Sequence, residues 1–109
     1  MDNKEFRILC NDLLDGVEDR INRLTVDDVD AVSEDGVMRI CFRDGTEVSI
    51  TRNDEFQRLS MNDGNGLTHF YFNETEEAWF GVGSETPLLF ALQALITKKT
   101  GVQLRLTEE

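Results

Sequence analysis

The sequence predicts an α+β fold: a two-layer αβα sandwich in which the N- and C-terminal helices pack on one face of an antiparallel sheet of five or six strands. Apolar residues recur at helical spacing near both ends of the chain, and between them the period falls to two in short β-rich runs separated by turn residues. Strands in an uninterrupted run flanked by two helices favour both helices on one sheet face. The 109 residues, 39 % of them hydrophobic, suit a single domain over positions 1–109.

The first helix is expected from Phe6 to Leu24, where Phe6, Leu9, Cys10, Leu13, Leu14, Val17, Ile21 and Leu24 gather on one side. The same rotation sends Glu5, Asp12, Asp15, Glu18 and Asp19 to the other side, with no base among the last four. Val29 and Ala31 then alternate with Asp28 and Asp30, and Met38, Ile40 and Phe42 share a face of the next run. Asp44-Gly45 reads as a two-residue hairpin turn with positive φ at both positions, returning into Val48 and Ile50. A weaker fourth strand is expected over 56–61, and two more over 68–72 and 78–80. Thr86 is expected to cap the last helix with Pro87 in its first position, and Gly101 to end it, with Lys98 and Lys99 at the negative pole.

Charge narrows the function. Eleven basic against 22 acidic residues give a net charge of -11, which argues against nucleic acid or an anionic membrane as partner and favours cations or basic proteins. Two distant cysteines make neither a disulfide framework nor a zinc site, and no secretory, transit or membrane-spanning segment is evident, so the expected location is cytoplasmic. A monomer is the expected state. The lone His69 leaves catalytic triads and dyads without material and is expected to be structural, and Gly81-Val82-Gly83 lacks the spacing and lysine of a phosphate loop; no enzymatic activity is expected. Cys10 is expected to pack in the core. Cys41, on the outer sheet face between Arg39 and Arg43, is expected to have a lowered pKa.

The excess acid is concentrated: residues 1–35 hold 11 acids and 4 bases. Asp12 with Asp15, and Asp15 with Glu18 and Asp19, each cost roughly 0.2–0.5 kcal/mol of repulsion in a helix. Folding does not ask for this arrangement. Carboxylates without histidine or cysteine partners are hard oxygen ligands for magnesium, calcium, manganese or iron, and an exposed ridge of them suits weak, transient holding. The expected metal-binding residues are Asp15, Glu18, Asp19, Asp27, Asp28 and Asp30.

Taken in order, Glu5-Phe6 with Leu9 and Leu13, Val17-Glu18-Asp19-Arg20-Ile21, Asp28-Val29-Asp30, Gly36-Val37 to Phe42, Asp44-Gly45, Ile50-Thr51-Arg52-Asn53, Gly66 with His69-Phe70, and Glu77-Ala78-Trp79 resemble the frataxin family in its short bacterial form. The resemblance covers nearly the whole chain. It implies the αβα sandwich, reversible binding of ferrous and ferric iron on the first helix and strand, and work in iron–sulfur cluster assembly with a cysteine desulfurase and a scaffold protein. Glu18, Asp19, Asp28 and Asp30 match acidic positions of the family, and Asp27 lies beside them. Partner contact would use Glu18 and Asp19, completed on the outer sheet face by Arg52, Asn53 and Gln57. Asn22 and Arg23 stand where the family is usually acidic, Glu55 where it has proline, and Ser60 where it shows a tryptophan. A rival reading keeps the acid surface as a protein-binding adaptor with incidental metal affinity. A ferroxidase would need an organised carboxylate centre with histidine support, which one strand histidine does not supply.

Overall fold

A computed structural model describes residues 1–24, 29–103 and 105–106. The first helix, α1, spans Asn3–Leu24 and starts earlier than its apolar pattern, because Asp2 Oδ1 accepts the Glu5 amide at 2.8 Å and caps the free N-terminus. Six strands follow: β1 (Val29–Glu34), β2 (Val37–Phe42), β3 (Glu47–Asn53), β4 (Arg58–Asn62), β5 (Leu67–Asn73) and β6 (Ala78–Gly81), then α2 (Leu88–Thr100). The sheet order is β1-β2-β3-β4-β5-β6 with every neighbour antiparallel, and both helices lie on one face, α1 over β1 and β2 and α2 over β6. This is the α+β sandwich expected from the alternation of periods.

The alternating residues meet the helices in one core. Phe6, Cys10, Leu14, Val17 and Ile21 from α1 pack on Val29, Ala31, Met38, Ile40, Val48, Ile50, Leu59 and Phe70, with Leu88, Leu92 and Ile96 from α2. Trp79 ties α1 to the β5–β6 edge of the sheet: its ring lies 6.0 Å from Phe6 and 5.4 Å from Phe72. The segment after α2 returns between the helices, where Arg20 Nε donates to Arg105 O and the Leu106 amide donates to Gln93 Oε1, each at 2.8 Å, burying Leu106.

Three turn expectations need correction. The tight two-residue turn is Asp35-Gly36, with φ 47° and 81°, and not Asp44-Gly45. In the next hairpin Gly45 alone has positive φ; its amide donates to Phe42 O at 3.0 Å and Phe42 N donates to Thr46 O, leaving a three-residue loop. Thr46 N and Oγ1 donate to Asp44 Oδ1 there, which holds that carboxyl below its ordinary pKa. The fourth strand begins only at Arg58, so Phe56 lies in the preceding turn, 65 % exposed. Pro87, not Thr86, occupies the N-cap of α2, in extended conformation with no side-chain cap, because Thr86 O accepts the Gly81 amide and Pro87 bridges to Phe80. Gly101 ends the helix as expected, left-handed at φ 77° with its amide on Thr97 O.

Candidate metal and partner surface

One flank of α1 is a polar stripe made by Arg7, Asn11, Asp15, Glu18 and Asn22, three or four residues apart and therefore stacked along the helix. Each member bonds to the sheet side. Arg7 Nε pairs with Asp54 at 3.2 Å, and Asn11 Oδ1 accepts from Arg52 Nη1 at 3.0 Å. Ser33 Oγ donates to Asp15 at 2.8 Å, and the Ser33 amide donates to Glu18 at 2.7 Å. Asn22 makes a double bond set with Ala31: its Nδ2 donates to the carbonyl at 2.8 Å and its Oδ1 accepts the amide at 2.9 Å. β1 is an edge strand, and α1 thereby satisfies the edge groups of Ala31 and Ser33 that no strand pairs.

This seam redistributes the expected metal ligands. Asp15 and Glu18 converge on Ser33, so their oxygens already accept protein hydrogen bonds. Asp19 pairs with Arg23 one turn along, which offsets its charge. Asp30 sits on the sheet face away from the helices, opposite Cys41 in register. Asp27 and Asp28 lie outside the described residues. Among the described residues no group of three or more histidine, cysteine, aspartate or glutamate side chains is close enough to hold a metal ion.

The expected partner residues are placed differently too. Arg52 is not on the outer sheet face: it shares the parity of the buried Val48 and Ile50, and its side chain, 13 % exposed, turns toward α1. Its Nε lies 2.9 Å from Asp54 and its guanidinium rests on Gly36, where an added Cβ would stand 2.8 Å from Cζ. Asn53 Oδ1 accepts the Phe56 amide at 3.2 Å, and Gln57 Nε2 donates to Met1 O and Asn3 Oδ1 at 2.8 and 3.0 Å. All three hold the β3–β4 turn in shape. The spacing of Asn11, Glu18 and Asn22 marks this second polar flank on α1 in the sequence, whereas nothing local marks Ser33 and Asp54 as its partners.

Both thiols have pKa values raised above the ordinary thiol value. Cys10 is buried and desolvation pushes it up to about 12. Cys41 is exposed on the outer face as expected, but its pKa is raised, not lowered: partial desolvation and the hydrogen bond to Glu47, with the Glu47 and Asp30 charges, outweigh Arg39. The lone histidine, His69, is exposed on the sheet face away from the helices, its Nδ1 lying 2.8 Å from Ser60 Oγ on the neighbouring strand.

A family model described as the frataxin-like domain matches residues 1–102. The chain belongs to the frataxin-like family. Two curated relatives are each called iron-sulfur cluster assembly protein CyaY. The one from Pseudomonas fluorescens is 25 % identical over 96 residues, which is 85 % of this chain and 87 % of the relative. The one from Pseudomonas syringae pv. syringae is 27 % identical over 101 residues, 90 % of this chain and 92 % of the relative. The solved frataxin of Psychromonas ingrahamii, studied for stability within the CyaY protein family, superimposes with TM-score 0.91 at 23 % identity over 99 % of this chain and all of that one, a match of fold. Within this frataxin-like chain the departures from the acidic pattern have structural work to do. Asn22 supplies the N–H donor that a carboxylate lacks, and Arg23 neutralises Asp19.

Proposed function

We propose that this chain is a cytoplasmic, non-enzymatic iron–sulfur cluster assembly protein that binds the cysteine desulfurase and the scaffold protein and carries iron weakly and reversibly as cargo. The observation behind the proposal is the frataxin-like match over residues 1–102, shared with relatives named for that process. The charge supports it: a net -11, concentrated toward α1 and β1, raises the local concentration of cations and steers a basic protein surface into contact. Asp15, Glu18, Asp19, Asp27, Asp28 and Asp30 are the proposed iron donors, and Glu18 and Asp19 with Arg52, Asn53 and Gln57 the proposed docking residues. Arg52, Asn53 and Gln57 contribute by fixing the β3–β4 turn that the partner would meet.

The adaptor reading is favoured by one specific feature. Glu18 is engaged by the neutral Ser33 and so keeps its field with fewer free lone pairs for chelation, while Arg23 offsets the charge of Asp19. Anaerobic Fe(II) titration followed by amide NMR separates the two. Broadening centred on residues 15–30 supports iron carriage; broadening scattered over the molecule removes it. A pull-down with the desulfurase under chelator tests the rest: binding that survives chelation keeps the adaptor, and no binding with or without iron overturns both.

A further inference from the structure

The helix layer contains a groove that neither the acidic flank nor the sheet face uses. Its floor and walls are Leu9 and Leu13 of α1, Phe72 and Trp79 of the sheet, and Leu88 and Leu89 at the start of α2, enclosing about 410 Å³. Leu9, Leu13, Phe72 and Leu89 are only partly buried, so the core is left open along this line. The groove continues past Gly16 and Arg20 toward Leu106 as a second depression of about 550 Å³. Apolar concavities of this size take large side chains of a bound segment.

The charged side chains lining this first groove are both acidic, and Arg20 lines the second depression. Asp12 on α1 and Glu77 in the turn before β6 both line the groove, and neither has a hydrogen bond or ion pair from its side chain among the described residues. Glu74 and Glu76 follow in the adjoining turn. The uncapped N-terminus of α2 adds about half a positive charge, which two full carboxylates outweigh. An anionic occupant such as a fatty acid is therefore disfavoured, and the chain's own Thr107-Glu108-Glu109 has the wrong charge. A second copy carries the same net -11 and is repelled.

We propose that this groove is a docking site for a basic amphipathic helix of a partner protein, which seats apolar side chains on Leu13, Trp79 and Leu89 and directs lysines or arginines to Asp12 and Glu77. The inference is independent of iron carriage. Trp79 is the sole tryptophan and forms the groove wall, so its emission reports occupancy directly. The probe is a synthetic helix of leucines and lysines, roughly four turns long, with a glutamate-for-lysine helix and a scrambled peptide as controls.

The cationic helix is expected to change Trp79 emission saturably and to shift the methyl signals of Leu9, Leu13 and Leu89, while the controls do neither. The double variant Asp12→Asn, Glu77→Gln is expected to bind about ten-fold more weakly, since exposed charge pairs contribute up to ~1 kcal/mol each. Glu34→Gln with Glu55→Gln removes equal charge away from the groove and is expected to bind within two-fold of the parent. Leu89→Lys, at a partly exposed position, is expected to abolish binding with the thermal midpoint retained. Binding that leaves Trp79 and the leucine methyls unmoved, equal binding of the glutamate helix, or an equal loss from the remote pair would overturn the proposal. A Trp79 change on concentrating the chain alone would assign the groove to a second copy and overturn it as well.

Discussion

Replacing Asn22 by aspartate tests whether the seam between α1 and the sheet edge is a structural element or a coincidence of surface groups. The substitution is nearly isosteric and restores an acid at a ridge position, yet it exchanges the Nδ2 donor for an oxygen that faces Ala31 O at 2.8 Å. One hydrogen bond of about 1 kcal/mol is lost, and a part-buried carbonyl is left facing a carboxylate, which costs ~1–3 kcal/mol where water is excluded. Asn22 itself is exposed, so water offsets some of this and the net loss is about 2 kcal/mol. That corresponds to a fall in Tm of about 10 °C for a domain of this size. Asn22→Ala, which loses both bonds without the repulsion, should cost about 1–2 kcal/mol. Urea denaturation at pH 7 read by Trp79 fluorescence measures both. The introduced carboxyl favours its protonated form in the folded state, which can donate to Ala31 O, so its folded pKa lies above its unfolded value near ~4. The penalty is therefore complete above the folded pKa and vanishes as pH falls below about 4, and the gap to wild type should close on acidification. An Asn22→Asp protein within ~0.5 kcal/mol of wild type at pH 7, or a gap that widens at low pH, would refute the seam.

Arg52→Ala should destabilise by roughly 2 kcal/mol in the same assay, because Asn11 loses its donor and the partly shielded Asp54 keeps only Arg7. A neutral result would return Arg52 to the free surface. Cys41 should react with iodoacetamide at pH 8 more slowly than a free thiol, and Glu47→Gln should speed it by lowering the thiol pKa; Cys10 should be labelled only on unfolding. Moderate salt should raise Tm by screening the net -11, and an unchanged Tm between low and moderate ionic strength would count against repulsion as a cost in this fold.

The layers and strand order were legible because burial follows period. The register was legible in principle as well. A two-residue Asp44-Gly45 turn would set Ile40 against Ser49, an inward residue against an outward one, whereas the observed three-residue loop sets Ile40 against Val48 and Cys41 against Glu47. Asp35-Gly36 then sets Asp30 against Cys41 from the other side. With both turns assigned correctly, the register places Glu47 and Asp30 beside Cys41, two of the groups that raise its pKa. Arg52 could likewise have been read inward from its parity with Val48 and Ile50. The partners of Glu18 and Asp15 could not. Periodicity says that a helix flank meets the sheet, but which carboxylate meets Ser33 depends on the helix's rotation and height over β1, which packing of the apolar face decides.

The amide of Asn22 offers Ala31 one carbonyl and one N–H, the same pair that a neighbouring strand would offer. Within one molecule the helix thus stands in for a seventh strand. Peeling it away would leave a ready template for another chain, so any partner or substitution that loosens α1 converts a self-contained fold into one that can propagate its sheet between molecules.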